Sequence, residues 1–316
     1  MKAYIKYFLL IIFFLLKTKT ALANETIKIG LLAPFSGEFE YIGNSVIGST
    51  KMALKKINNN NIYILPRDTR ADNLETIKKV EELYIEGVRI FIGPVFNRNL
   101  IGLDKYEDAI FLSLTNKVLN NPKNVISSGI NANSQFRAIK KFLKENDLKQ
   151  TLVLIPKKDY KEEIEEAIKN SKLNSKKIFY YDTEPTKLTK QIEKVTRYQI
   201  RKQNLADEIK RIENSEEENK EKKLEILNRR DTLGKIGYDS IIIADFDESL
   251  KSVTTSLLYT DVSPKNVTFI SLNQWFDKTL FKETASQPIS FPSVNKRNLD
   301  KFNKDYEEFY KEPPNQ

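Results

Sequence analysis

The chain has 316 residues, with 52 Lys and Arg against 43 Asp and Glu, a formal net charge of +9, and neither histidine nor cysteine. The missing His and Cys exclude zinc sites, thiol nucleophiles and His-based triads, and within these residues a disulfide framework or a lipidated cysteine. Basic residues are interleaved with acidic ones along helical stretches, which argues against nucleic-acid binding, and an AT-rich coding sequence would by itself enrich Lys, Asn and Ile.

The first 23 residues read as a secretion signal: Lys2 and Lys6 form a charged start, an apolar run spans 7–16, and small residues Ala21 and Ala23 precede Asn24. The run is shorter than the ~20 residues a bilayer span needs. Membrane contact is therefore expected only if this segment stays uncleaved, and the mature protein is expected in the periplasm, folding by its core alone. Roughly 290 residues remain, enough for two domains with separate cores.

Residues 26–57 combine a strand at 27–32, a polar turn at Pro34-Phe35-Ser36-Gly37 and an amphipathic helix. Further strands are predicted at 62–65, 88–92, 110–114, 125–127, 151–155, 177–181, 240–244 and 267–271, with helices at 74–84, 134–143, 161–168 and 250–259 among them. Short apolar strands separated by helices predict an α/β protein with mostly parallel sheets and right-handed crossovers. Such sheets gather ligands at the carboxyl ends of their strands.

Residues 188–233 lack Gly and Pro, are dense in Lys and Glu, and space Leu188, Ile192, Val195, Leu205, Ile209 and Ile212 for helix, with a break at Asn214-Ser215-Glu216-Glu217 before Leu224 and Leu227. The pattern predicts two antiparallel helices over 187–233, a hairpin projecting from the second domain. It is either a surface for another protein or a self-contained charged element stabilised by Glu/Lys pairs. Gly234 and Gly237 then turn the chain back into a strand, and 289–294 and 296–310 read as a strand and a helix.

The segments IKIGLLAPFSG at Ile27, EGVRIFIGP at Glu86, IFLSLTN at Ile110 and VLIPKKDY at Val153 resemble the type I periplasmic binding fold, the group containing the leucine/isoleucine/valine-binding proteins. A narrower likeness, carried by GPVFNRN at Gly93 and LVLIP at Leu152, is to exported penicillin-binding protein activators that share this fold. The resemblance implies two α/β lobes at 24–128 and 129–290, joined by crossing strands and closing on a small ligand, and a return of 291–316 to the first lobe. Because such relatives usually continue into at least one more helix, the stop at Gln316 implies either an apparent truncation or a first lobe without a covering helix, which would expose apolar sheet surface.

The same resemblance implies ligand contacts from Ser36, from Asn97 and Asn99 where amino-acid binders have small hydroxyl residues, from Thr115 and Asn116, from Asn131 and Asn133 at the first crossing, and from a covering Tyr160. Where the family often carries an acid, this chain has neutral Asn273 and Gln274. Asp245 is the replacement candidate, since a ligand ammonium left buried and unpaired costs several kcal/mol. Read from the residues alone, the Ser36 turn either holds a carboxylate or simply caps a helix, Tyr160 is either a lid or a surface residue, and Asp245 and Asp247 either supply charge or cap a helix near Glu248. No catalytic residue, metal or cofactor is assigned, because no triad or metal-ligand spacing occurs.

Two functions follow. One is an exported, non-enzymatic solute-binding protein passing amino acids or related solutes to an ABC transporter permease. The other is a regulator of the activator kind that touches a cell-wall synthase.

Overall fold

The computed structural model describes residues 26–273, 279, 282 and 284–314, so the signal segment and Gln274 lie outside the described residues. The chain forms two compact units, the first holding residues up to Thr115 with Asn121–Ser128, the second Asn116–Asn120 and Gly129–Pro314.

The first unit is a five-stranded parallel sheet in the order β2-β1-β3-β4-β5, from β1 (Ile27–Ala33), β2 (Ile62–Asp68), β3 (Ile90–Ile92), β4 (Ile110–Ser113) and β5 (Val125–Ser127). Helix α1 (Glu40–Ile57) ends at Asn58, which takes a left-handed conformation, with Lys55 and Lys56 in the last turn favourable to the helix dipole. Helix α2 (Asn73–Ile85) starts where the Asp72 carboxylate accepts the Glu75 amide at 2.8 Å. α1 approaches the end of β1 very closely at Gly43, where a Cβ would lie 1.9 Å from the Pro34 carbonyl oxygen. The core of this unit is built on stacked Phe91 and Phe111, whose ring centroids are 4.7 Å apart, with Leu32, Val80, Leu83 and Leu103 around them.

The second unit repeats the plan with order β10-β9-β8-β6-β7, again all parallel, from β6 (Thr151–Pro156), β7 (Lys177–Tyr181), β8 (Ser240–Ile243), β9 (Thr268–Ser271) and β10 (Ile289–Ser290). Every residue of β6 and β8 is buried, as expected for inner strands covered on both faces. Alternation divides their side chains. Leu152, Leu154, Ile241 and Ile243 pack with α5 (Pro185–Val195) and α8 (Asp247–Tyr259). Val153, Ile155 and Ile242 pack with α3 (Ala132–Glu145) and α4 (Lys161–Ser171) on the other face.

The helical insertion differs in detail from the expected pair over 187–233. Leu188, Ile192 and Val195 lie on α5, which packs on the sheet as an ordinary crossover helix. The chain then bends through Arg197, left-handed at φ 57°, and the hairpin proper is α6 (Tyr198–Glu213) and α7 (Lys220–Asn228). Leu205, Ile212 and Leu227 form a small core of their own. Periodicity alone could not separate the two because three- and four-residue spacing continues through the bend, while a buried guanidinium decides it. Arg201, 4% exposed, donates through Nε to the Thr196 carbonyl at 3.0 Å and through one terminal nitrogen to the Thr232 hydroxyl at 2.8 Å, while the other contacts the Thr260 carbonyl. Thr196 and Thr260 are the carboxyl caps of α5 and α8, so one cation closes two helix ends and ties the hairpin to the sheet domain.

Residues 291–314, expected to return to the first lobe, group instead with the second unit, where α9 (Lys296–Tyr310) follows β10. Among the described residues no helix is long and apolar enough to cross a membrane.

Candidate functional site

Parallel strands bring all their carboxyl ends to one edge, and in each unit that edge carries a carboxylate already engaged by the chain itself. In the first unit β1 and β2 end side by side, with Ala33 in register with Asp68. The Asp68 carboxylate accepts the Ser36 hydroxyl at 2.5 Å, the Phe35 amide at 2.8 Å and the Arg70 amide at 2.9 Å. Burial pulls the Asp68 pKa upward, but the Ser36 hydroxyl, the Arg70 and Phe35 amides and the Arg70 charge outweigh it and hold the group below the usual carboxylate range. The hydroxyl and amides of the turn do hold a carboxylate, and it is the protein's own.

In the second unit Asp245 follows β8 and is fully buried. One of its oxygens accepts the Lys158 ammonium at 2.7 Å, the Tyr160 phenol at 2.9 Å and the Phe246 amide at 2.9 Å. The other accepts the Tyr181 phenol at 2.6 Å and the Ser249 hydroxyl at 2.5 Å. Five donors saturate a group with about four lone-pair sites. Burial first, and the Asp245 charge second, push the Tyr160 and Tyr181 phenols far above their ordinary pKa, so both remain protonated donors. Asp245 is neither an open charge nor the cap of α8, whose capping position is Phe246 with no side-chain bond. It binds together the ends of β6, β7 and β8.

The other implied contact residues are placed as follows. Asn97 donates to the Asn121 side-chain oxygen at 3.0 Å. Asn99 is buried and donates to the Thr76 hydroxyl at 2.8 Å, so it serves the start of α2. Thr115 is buried, and its carbonyl accepts the Ser127 hydroxyl at 2.5 Å, whereas Asn116 is exposed. Asn131 caps α3, accepting the Ser134 amide at 2.9 Å. Asn133 is half-buried, and its side-chain oxygen meets Asn170 at 3.4 Å. The Asn273 amide donates to the Gln135 side chain at 2.7 Å, tying the end of β9 to α3. Of the implied set, Tyr160 and Asp245 are joined directly.

Four partners were missed by sequence reasoning: Asp68, Lys158, Tyr181 and Ser249. Asp68 was within reach, because pairing the first two predicted strands in parallel puts their carboxyl ends together. Tyr181 and Lys158 needed the strand order, since β7 and β8 flank β6 only in the folded sheet.

A model of the family described as "LppC putative lipoprotein" matches residues 14–228, more than half of the chain. No curated protein sequence matches. Among solved structures, the chain is similar to the LpoA (YraM) C-domain from Haemophilus influenzae, "a regulator of PBP1A", at 15% identity and TM-score 0.56, covering 88% of this chain and 78% of that one. Against full-length LpoA from the same organism the TM-score is 0.58 at 15% identity, with 89% of this chain and 46% of that chain covered, so this chain spans about half of it. An ABC transporter substrate-binding protein from Desulfitobacterium hafniense has TM-score 0.54 at 13% identity, over 91% of this chain and 78% of that one. At such identities the likeness is one of fold: two α/β units with parallel sheets, of the type I periplasmic binding class.

Proposed function

The chain belongs to the LppC putative lipoprotein family, and from that premise we propose that it is an exported, non-enzymatic regulator of a cell-wall synthase of the penicillin-binding protein class, acting by protein contact. The observation that carries this reading is the self-occupancy of the Asp245 site. A zwitterionic solute needs a free acid for its ammonium, yet the Lys158 ammonium already lies on Asp245 at 2.7 Å. The corresponding donors in the first unit, Ser36 and the Phe35 amide, hold Asp68. Displacing either would leave a hydrogen-bonding group unmatched at about 1–3 kcal/mol, before any gain from the solute.

The family description supports export, as does the signal-like segment at 1–23. It also contains the word lipoprotein, whereas none of these 316 residues is a cysteine able to carry a thioether-linked lipid. The likeness to a Haemophilus protein that regulates PBP1A supports a penicillin-binding protein as partner. The hairpin α6–α7 supplies surface beyond the plain two-sheet plan.

The test combines the chain from Asn24 onward with a purified bifunctional penicillin-binding protein and follows complex formation, glycan polymerisation and peptide cross-linking. A concentration-dependent complex with an altered rate is expected, together with a flat thermal response to free amino acids. The reading fails if no complex forms and a single solute stabilises the protein by about 2.7 kcal/mol at a hundredfold excess over its Kd.

A further inference from the structure

The amino ends of the second sheet border a cavity of about 900 Å³ that none of the implied ligand contacts reaches. Gln150, Lys176, Asp239 and Val267, just before β6, β7, β8 and β9, line one side, and the chain descending from the hairpin through Gly234 and Gly237 lines another. Five cations border it, Lys176, Arg201, Arg230, Lys235 and Lys265, against two carboxylates, Asp239 and Asp261.

Both carboxylates are engaged from within. Asp239 accepts the Lys149 amide at 2.7 Å, the Gln150 amide at 2.8 Å and the Ser240 hydroxyl at 2.9 Å. Asp261 accepts the Thr232 hydroxyl and lies 4.0 Å from Arg201. The Lys176 ammonium donates at 2.8 Å to the neutral Gly237 carbonyl and lies 5.7 Å from the centre of the Tyr238 ring, and neither brings it a counter-charge. Among the described residues, the side chains of Arg230, Lys235 and Lys265 have no ion-pair or hydrogen-bond partner. Excess positive charge around a concave surface raises the local concentration of anions.

The extent of the cavity favours a long anion over a compact one. In the order β9-β8-β6-β7, the backbones of Lys265 and Lys176 stand near opposite ends of three inter-strand gaps, a span of roughly 14 Å at about 4.8 Å per gap, although the Lys176 ammonium reaches back to the Gly237 carbonyl ahead of β8. A cavity of about 900 Å³ is far larger than a compact anion fills. An extended polypeptide crosses that distance in about four to five residues, and the partly buried Ile236 and Tyr238 offer an apolar wall for the side chains between its carboxylates.

We propose that this cavity is a docking groove for an extended acidic segment of a protein partner, with Lys176, Arg230, Lys235 and Lys265 as the receiving cations. It rests on the reading of the protein as one that acts by protein contact, and it names the surface used.

The probe is a fluorescein-labelled deca-glutamate peptide, followed by fluorescence anisotropy with the chain from Asn24 onward at low salt. The triple variant Arg230→Glu, Lys235→Glu, Lys265→Glu is compared with a control carrying the same charge change, Lys51→Glu, Lys56→Glu, Lys144→Glu, and melting curves establish that both fold. The groove variant is expected to lose affinity by at least about tenfold and the control by less than about threefold, with binding that weakens as salt rises.

Equal weakening by the two triples overturns the groove, as does absence of binding to the parent protein. Competition by citrate as strong per carboxylate as by the peptide overturns the extended segment in favour of a compact anion. The synthase is scored separately. Peptide binding without synthase binding leaves the groove standing and removes the functional reading, whereas synthase binding that the groove variant retains in full removes the groove alone.

Discussion

Lys158 and Asp245 meet at 2.7 Å across the carboxyl edge of the second sheet, with the Asp245 side chain wholly buried and that of Lys158 33% exposed. The ammonium bridges bulk water and a carboxylate that would otherwise be an uncompensated interior charge. Around it, Tyr160, Tyr181, Ser249 and the Phe246 amide complete a shell in which every donor depends on the same group.

Asp245→Ala is therefore a stability variant. It strands the buried Tyr181 phenol and the Phe246 amide, while Lys158 can turn into solvent, so the expected cost is about 2–4 kcal/mol. Urea denaturation followed by circular dichroism measures it. A midpoint equal to that of the parent would mean that the carboxylate is not held as described.

Asp68 governs the acid side of the stability profile. Its folded pKa is lowered, so between that value and the ordinary one near about 4 the unfolded chain binds more protons and stability rises with pH. The contribution is fully present above the ordinary value and is lost as pH falls through the lowered one. Asp68→Asn should flatten the melting temperature between about pH 5 and pH 2 relative to the parent. An unchanged slope would show that Asp68 is not the group responsible.

Gly43→Ala reverses the usual sign for a glycine within a helix. Propensity alone favours Ala by about 1 kcal/mol, but the added methyl would sit 1.9 Å from the Pro34 carbonyl oxygen, a backbone atom that cannot rotate aside. Pushing α1 away from the end of β1 is expected to leave the variant about 1–3 kcal/mol less stable. A rise in melting temperature would contradict the close approach.

Arg201→Met removes the cation that joins Thr196, Thr232 and Thr260 and leaves two helix-end carbonyls without their donor. The loss should appear as local opening, with hydrogen exchange in α6 and α7 accelerated by at least about a hundredfold, equivalent to about 2.7 kcal/mol, and exchange in β6 and β8 nearly unchanged. Uniform acceleration across the second unit would assign Arg201 to the main core instead.

Much of the fold is legible in the sequence. The predicted strands at 125–127 and 177–181 coincide with β5 and β7, and the helix at 296–310 with α9, because β-rich apolar runs bounded by polar turns record burial directly. The helical insertion was legible as helix but not as three helices, since spacing is blind to a single left-handed residue at Arg197. The implied contact residues were less informative. Asn99 and Asn131 are short polar residues, equally suited to a ligand and to a helix start, and in the fold they serve helix starts.

The sequence by itself determined the class of the protein: alternating strands and helices made it α/β, and the want of His and Cys closed off whole chemistries. Only the tertiary structure decided which polar groups are spent. Asp68 meets Ser36 across 32 positions of sequence, and Lys158 meets Asp245 across 87. Strand order alone creates those pairings, because a parallel sheet carries distant carboxyl ends to a common edge. There Asp68 and Asp245 each meet donors of their own chain.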